Sequence, residues 1–362
     1  MQLSILIGTN RTGLLACSRL AQACSWASEN VEVIIRDNSG DVQKRHFLSL
    51  CRRDHCNIIL AEPCDALTNF SEVLRLARGE FVFVLADDDF CFDRAVPALV
   101  KTIGQFGRDA SVVGVTGSYV VERSDGSAVL GYQGVDADDA TARVAGFLSY
   151  VGPNVLHYAP IRREVAQRVF SFMNALPSFF SFHDLVFCML YLLNGKFVRL
   201  NRLLYAYEIG IWEDPIAAQQ RDLDYYREAG FDAAINVLHW FLCAFEGAVL
   251  VRNAGIFPEL PAAQRQAIAD IWFSHMYIRF KVGGRPAFES RFAPEAEKLR
   301  NKWLGLAGRL SFQDLLADIS SFMSLTARDR AQSYFEFWDA VINKRALPAR
   351  PERKPAAMQA AG

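Results

Sequence analysis

The sequence predicts an α/β protein, a mostly parallel sheet flanked by helices and followed by a helical C-terminal region. Three observations predict it. The first ninety residues alternate short apolar runs with segments of helical period, the pattern of a parallel sheet covered on both faces. Three of those four apolar runs end in polar residues able to bind or react. From about Glu213 the strand signal stops and only helical periodicity remains.

Taken in order, Leu3 to Gly8 reads as a buried strand with the polar tip Thr9-Asn10-Arg11. Thr12 to Ser28 reads as a helix, with Thr12 as its cap. Val31 to Arg36 is a second strand that ends at Asp37-Asn38-Ser39-Gly40. Asp41 to Cys51 is helical, Asn57 to Ala61 a third strand, and Ala66 to Ala77 a helix with Gly79 near its C-cap. Glu80 to Ala86 is a fourth strand that runs into Asp87-Asp88-Asp89. A helix over Asp93–Phe106 and a strand over Ser111–Glu122 follow, then a turn at 124–127 and a loop over Gly131–Asp139. Helices are expected over 140–151, 162–170 and 184–193, and strands over 155–158, 197–200 and 203–208. Helical segments are expected near 214–229, 232–251, 260–280, 292–305 and 311–343. The domains are therefore 1–212, a binding and catalytic domain, and 213–345, a helical region. A tail over 346–362, rich in Pro, Ala, Arg and Lys, is expected to be disordered.

Composition narrows the function. The 362 residues are 51% hydrophobic and 22% charged, ordinary for a globular protein, and the formal net charge of -1 supplies no basic field for nucleic acid. The N-terminus lacks the charged start and long apolar core of a signal peptide. The apolar run Ile235–Val251 is broken by Asn236, His239 and Glu246, which favours a buried helix over a bilayer span. These readings place the chain in the cytoplasm, with peripheral contact at the inner membrane face as the lesser alternative. The eight cysteines form no CxxC pair, and Cys51, His55, Cys56 and Cys64 match no familiar zinc spacing.

The chemistry lies at the strand tips. In a parallel sheet, ligands bind beyond the carboxyl ends of the strands near a switch in strand order. Alone, Asp87-Asp88-Asp89 reads as a solvated turn that caps the next helix. At the end of a buried strand the three like charges resist burial, and a hard divalent cation such as Mg²⁺ or Mn²⁺, completed by substrate phosphates, relieves that cost. Asp37 and Asn38 can bond a base N–H or a ribose hydroxyl, or simply make an Asx turn. Arg11 can meet a phosphate or lie exposed.

With these pieces in view, the chain resembles the family-2 glycosyltransferases of GT-A fold. The matching segments are Ser4–Arg11, Val33–Ser39, Asn69 with Ala77-Arg78-Gly79-Glu80, Phe83–Asp89, and His183-Asp184-Leu185 with Asn194-Gly195-Lys196. The resemblance spans roughly residues 1–210. It implies transfer of a sugar from a nucleoside-diphosphate sugar, a UDP-sugar first, to an acceptor hydroxyl, with inversion. It implies that Thr9, Asn10, Arg11, Asp37, Asn38, Asn69, Asp87 and Asp88 surround the donor. Asp89 would hold the Mn²⁺ or Mg²⁺, and Asp184 would be the general base. Asp184 also opens a helix, so a capping role stays open. His183 stands where the family often has Glu, and it can ligate, bind diphosphate or pack. Asn154, His157, His183 and Trp212 are candidates for the acceptor side. The acceptor would be a glycan or a lipid-linked sugar of bacterial surface polymer synthesis, and the helical region a surface for homodimer or membrane contact.

Two other functions fit less well. A sugar-phosphate nucleotidyltransferase would carry a more basic loop than Gly8–Gly13, which has one Arg and no Lys. A non-catalytic nucleotide-sugar-binding subunit would bind without turnover. A dinucleotide oxidoreductase is excluded because no GxGxxG follows the first strand.

Overall fold

The computed structural model describes residues 1–87, 89–123, 125–150, 154–208, 213–253, 260–286, 288–305 and 311–348. The chain falls into two compact units. The first holds Met1–Asn174 and Tyr191–Glu213, and the second holds Ala175–Leu190 and Asp214–Lys354. Residues 175–190 thus group with the helical region, although they lie inside the stretch 1–212 that sequence alone assigns to the catalytic domain.

The first unit is built on a sheet whose strands are β1 (Leu3–Thr9), β2 (Val31–Asp37), β3 (Cys56–Leu60), β4 (Phe81–Val84), β5 (Phe90–Cys91), β6 (Val112–Glu122), β7 (Ala128–Gly131), β8 (Ile161–Arg162) and β9 (Lys196–Glu208). Their order is β3-β2-β1-β4-β8-β6-β9-β5, with β7 paired to β6. β1 is parallel to both β2 and β4, so the strand order switches between β1 and β4. The expected strands 197–200 and 203–208 are one strand, β9, whose pairing with β6 shifts register near Ser118.

Strand alternation assigns the two faces. Leu3, Ile5 and Ile7 share a core with Val33 and Ile35 of β2 and with Leu20, Leu48 and Leu99. Those last three come from α1 (Leu14–Ser25), α2 (Val42–Leu50) and α4 (Ala95–Phe106). Even-numbered positions face the other way, where Gly8 lies against Asn69 and Phe70 of α3 (Ala66–Leu76). A Cβ on Gly8 would stand 3.0 Å from the Asn69 amide nitrogen, so a glycine there admits that side chain.

Ser4 and Glu32, also on the α3 face, pin the start of the strands. The Ser4 hydroxyl donates to Glu32 Oε1 at 2.6 Å, and the Arg78 and Gly79 N–H groups converge on the same carboxylate. Burial opposes charge on Glu32, but the bonds from Ser4 and Arg78 outweigh it and hold the carboxyl below its ordinary 4.5.

Several local expectations fail for identifiable reasons. Thr12 does not cap α1, because Gly13 occupies the N-cap with φ 100° and no side-chain bond. Gly79 does not terminate α3, because Ala77 leaves the helix in an extended conformation. Instead Gly79 donates to Ser4 Oγ at 2.7 Å. Val155–Tyr158 is a 3₁₀ turn rather than a strand. Its Tyr158 packs on Tyr205 and Tyr207 of β9, a tertiary contact that overrides the apolar run's strand propensity. The short strands β5, β7 and β8 have no sequence signal of their own length.

After α5 (Ala140–Ser149) and α6 (Arg163–Ala175), the second unit contains the first part of α7 (His183–Asn194) and the helices α8 (Pro215–Glu228), α9 (His239–Asn253), α10 (Ala262–Val282), α11 (Ala293–Leu304), α12 (Phe312–Ser324) and α13 (Arg328–Ile342). The expected segment 311–343 is two helices, broken after Ser324. Ala233–Arg252 is long and apolar enough to cross a membrane, but 94% of its most apolar window is buried within the chain. The polar residues that interrupt it are partnered inside the protein. Asn236 donates to the Pro286 carbonyl at 3.0 Å, His239 bonds Tyr226 at 2.6 Å, and Glu246 bonds both His183 and Tyr334 at 2.7 Å. This is how a core helix carries polar groups without cost. The tail beyond residue 348 lies outside the described residues.

Candidate donor site

Register brings the first three tips together. Thr9 pairs with Asp37, and Leu6 pairs with Val84, so Asp87 lies level with Thr9 across the switch point. The Thr9 hydroxyl donates directly to Asp87. Arg11 approaches the same carboxylate at 3.6 Å with its side chain half exposed, and Asn10 beside it is exposed. Asp87 and Asp89 are both buried. Asp88 lies outside the described residues.

Face alternation then sorts the β2 tip. Asp37 has the parity of Ile35 and faces α1 and α2, and Arg36 faces α3. Arg36 donates to Asn69 Oδ1 at 2.6 Å, and the Asn69 amide donates to Asn38 Oδ1 at 3.0 Å. Asn38 in turn donates to the Cys64 carbonyl at 2.8 Å. Asn69 and Asn38 are therefore buried struts that fix the β2 tip against α3. Cys64 is spent in this network.

Sequence reasoning missed Lys44. Asp41 caps α2 by accepting from the Lys44 N–H at 2.6 Å, which sets the helix phase. That phase turns Lys44 inward with Leu48, one turn on. The lysine side chain is 1% exposed, and its ammonium sits 2.9 Å from Asp37 Oδ1, 2.7 Å from Thr9 Oγ1 and 2.6 Å from the Arg11 carbonyl. The available signal was a lysine four residues before a core leucine on an amphipathic helix. Asp37 Oδ1 also accepts from Ser39 N at 3.2 Å, whereas Oδ2 is buried with no hydrogen-bond partner among the described residues. A buried carboxylate oxygen without a donor is costly, and a ligand N–H or O–H can satisfy it.

Asp184 is the second residue of α7, half buried, and its carboxylate accepts from the adjacent Leu185 N–H at 2.6 Å. It belongs to the second unit, as does His183. Both ring nitrogens of His183 are occupied. Nδ1 accepts from Phe180 N at 2.8 Å, which leaves Nε2 to donate to Glu246 at 2.7 Å. With the ring stacked on Phe180, His183 packs in the core. Next to this cluster, burial first, then Arg285 and His183, hold His239 well below its ordinary value.

Asn154 precedes the 3₁₀ turn and His157 lies within it. His157 keeps some exposed surface, but its crowded ring is desolvated and burial lowers it to about 4. Trp212 lies outside the described residues.

Among the described residues no three His, Cys, Asp or Glu side chains converge as a cation site. Asp87 and Asp89 are nevertheless hard oxygen donors, with the Arg11 side chain beside Asp87. They fit a cation of the Mg²⁺ type, which takes one or two carboxylates and completes its shell with phosphate and water.

A mixed sheet whose parallel part brings Thr9, Asp37 and Asp87 level across a switch point is an α/β scaffold of the class that binds ligands at its strand tips. Residues 16–170 match the family model described as glycosyl transferase family 2. Over those residues the chain is similar to the family 2 glycosyltransferases. No curated protein matches the sequence. Among solved structures, S. aureus TarS 1–349 in complex with UDP-GlcNAc is similar with a TM-score of 0.50 and 12% identity, over 95% of this chain and 88% of that one. S. aureus TarS 1–349 on its own gives 0.47 and 13% over the same shares. The S. aureus TarS structure without that truncation gives 0.46 and 13%, and there the chain spans 53% of the other's length. At this identity the likeness establishes the GT-A fold.

Proposed function

We propose that the chain transfers a sugar from a nucleoside-diphosphate sugar, a UDP-sugar first, to an acceptor hydroxyl with inversion. The observation that carries the proposal is the buried, unpartnered Oδ2 of Asp37, level with Thr9 and Asp87 across the switch point. That oxygen accepts the ring N–H of a uracil base, and Arg11 meets the diphosphate. The TarS structure with bound UDP-GlcNAc supports the choice of uridine.

Asp184 is the general base of this reading. Its carboxylate takes the acceptor proton as the acceptor oxygen bonds the anomeric carbon. The bond from that carbon to the β-phosphate oxygen breaks, and its electron pair leaves with the nucleoside diphosphate. Asp89, with Asp87 beside it, would hold the Mn²⁺ or Mg²⁺. When bound, that cation neutralises charge on the departing diphosphate. A glycan or lipid-linked acceptor, a cytoplasmic location with peripheral contact at the inner membrane face as the lesser alternative, and a homodimer formed through the helical region complete the proposal.

Calorimetry with UDP in the presence and absence of Mn²⁺ tests it. The expected result is metal-enhanced binding that Asp89→Ala reduces. No binding of UDP, or binding indifferent to Asp89→Ala, overturns the assignment. Turnover of NTP with a sugar phosphate, and not of a UDP-sugar, would make it a nucleotidyltransferase.

A further inference from the structure

We infer that Lys44 is a positioning residue that sets the nucleobase preference of the donor site. The inference rests on the proposed nucleoside-diphosphate binding and adds a residue that no motif assigns. Three geometric facts carry it. An ammonium has three N–H donors, and Lys44 spends all three, on Asp37 Oδ1, Thr9 Oγ1 and the Arg11 carbonyl. Its side chain is 1% exposed and that of Asp37 0%, so water does not substitute for the pair. Asp37 Oδ1 is thereby occupied and Oδ2 stays unpartnered.

The consequences are directional. Lys44 and Ser39 together fix the plane of the Asp37 carboxylate, which presents one acceptor and no donor to the base. Uracil offers an N–H at its N3 position, whereas cytosine offers a lone pair there. The same ammonium donates to Thr9 Oγ1, so the Thr9 hydrogen is left to point at Asp87. One buried cation therefore orders an acceptor for the base and a donor for Asp87 across the switch point. Removing it leaves the Asp37 carboxylate held by Ser39 alone and free to turn its acceptor away from the base, so the bond that selects the uracil N–H weakens.

The test is the ratio of UDP to CDP affinity, measured by calorimetry on the full chain. A bond from the base to a buried carboxylate predicts that the wild type favours UDP by at least about tenfold. In Lys44→Met the ratio is expected to fall below about threefold. Lys44→Arg is expected to lower it as well, because a planar guanidinium does not reproduce three bonds from one nitrogen. Should Lys44→Met fail to fold, the arginine variant decides. Weaker binding of both nucleotides with an unchanged ratio marks a merely structural lysine and overturns the inference. A wild type that binds neither nucleotide overturns the functional proposal with it, whereas wild-type selectivity that both variants keep sinks the role of Lys44 alone.

Discussion

Replacing Thr9 by Val exchanges one hydroxyl for a methyl at a position 1% exposed. The β-branch is kept, so β1 itself is undisturbed. The hydroxyl accepts from Lys44 at 2.7 Å and donates to Asp87, so two charge-assisted bonds are lost together. Each such bond contributes roughly 1.5–3 kcal/mol. The sum is an upper bound. Lys44 keeps Asp37 and the Arg11 carbonyl, and the Asp87 side chain keeps Arg11 and 9% exposure to water. The expected loss is therefore about 2–4 kcal/mol from the first unit. Amide hydrogen exchange on β1 and β4 peptides reads this locally, and protection should fall roughly 30-fold to nearly 1,000-fold. UDP binding should weaken in parallel. Protection within about threefold of wild type would refute the view that Thr9 joins two buried charges.

The remaining predictions concern the supports of the two units. Gly79→Ala would set a Cβ 2.5 Å from the Ser4 backbone nitrogen and 2.7 Å from the Leu3 carbonyl carbon, contacts that only a backbone shift relieves. It should cost about 1–3 kcal/mol, seen as a lower denaturation midpoint in urea, and an unchanged midpoint contradicts it. Glu32 is held below its ordinary 4.5, so its stabilisation is complete above that value and is lost as pH falls through the lowered folded value. The stability gap between wild type and Glu32→Gln should be constant from about pH 6 to 8 and close below about 4.5, and a gap that widens in acid defeats the assignment. Glu246→Ala strands the His183 Nε2 and the Tyr334 hydroxyl in the core. It should cost about 3–5 kcal/mol, read as lost exchange protection in α7 and α9 with UDP binding retained.

Much of the site is legible in sequence because strand tips are. Runs such as Leu3–Gly8 and Val31–Arg36 are apolar enough to fix strand identity, and identity fixes which residues end them. Sequence resemblance places Asn69 and Asn38 at the donor, whereas in the structure their hydrogen bonds run to Arg36 and Cys64, within the scaffold. The sequence leaves His183 open among ligation, diphosphate binding and packing. The partner that occupies its Nε2, Glu246, is remote in sequence, so local pattern had no means to choose.

What the sequence by itself determined is the alternation of strand and helix, the polar tips at Thr9, Asp37 and Asp87, and the change to helix after Glu213. These follow from local periodicity and from residues that break it. Tertiary structure alone decided which tips are level, because register is a relation between strands. It alone turned Lys44 inward, since a cap at Asp41 and a core at Leu48 set that helix's phase. It alone drew 175–190 into the helical unit. Each of these is settled by contacts between segments far apart in the chain, which no local window contains.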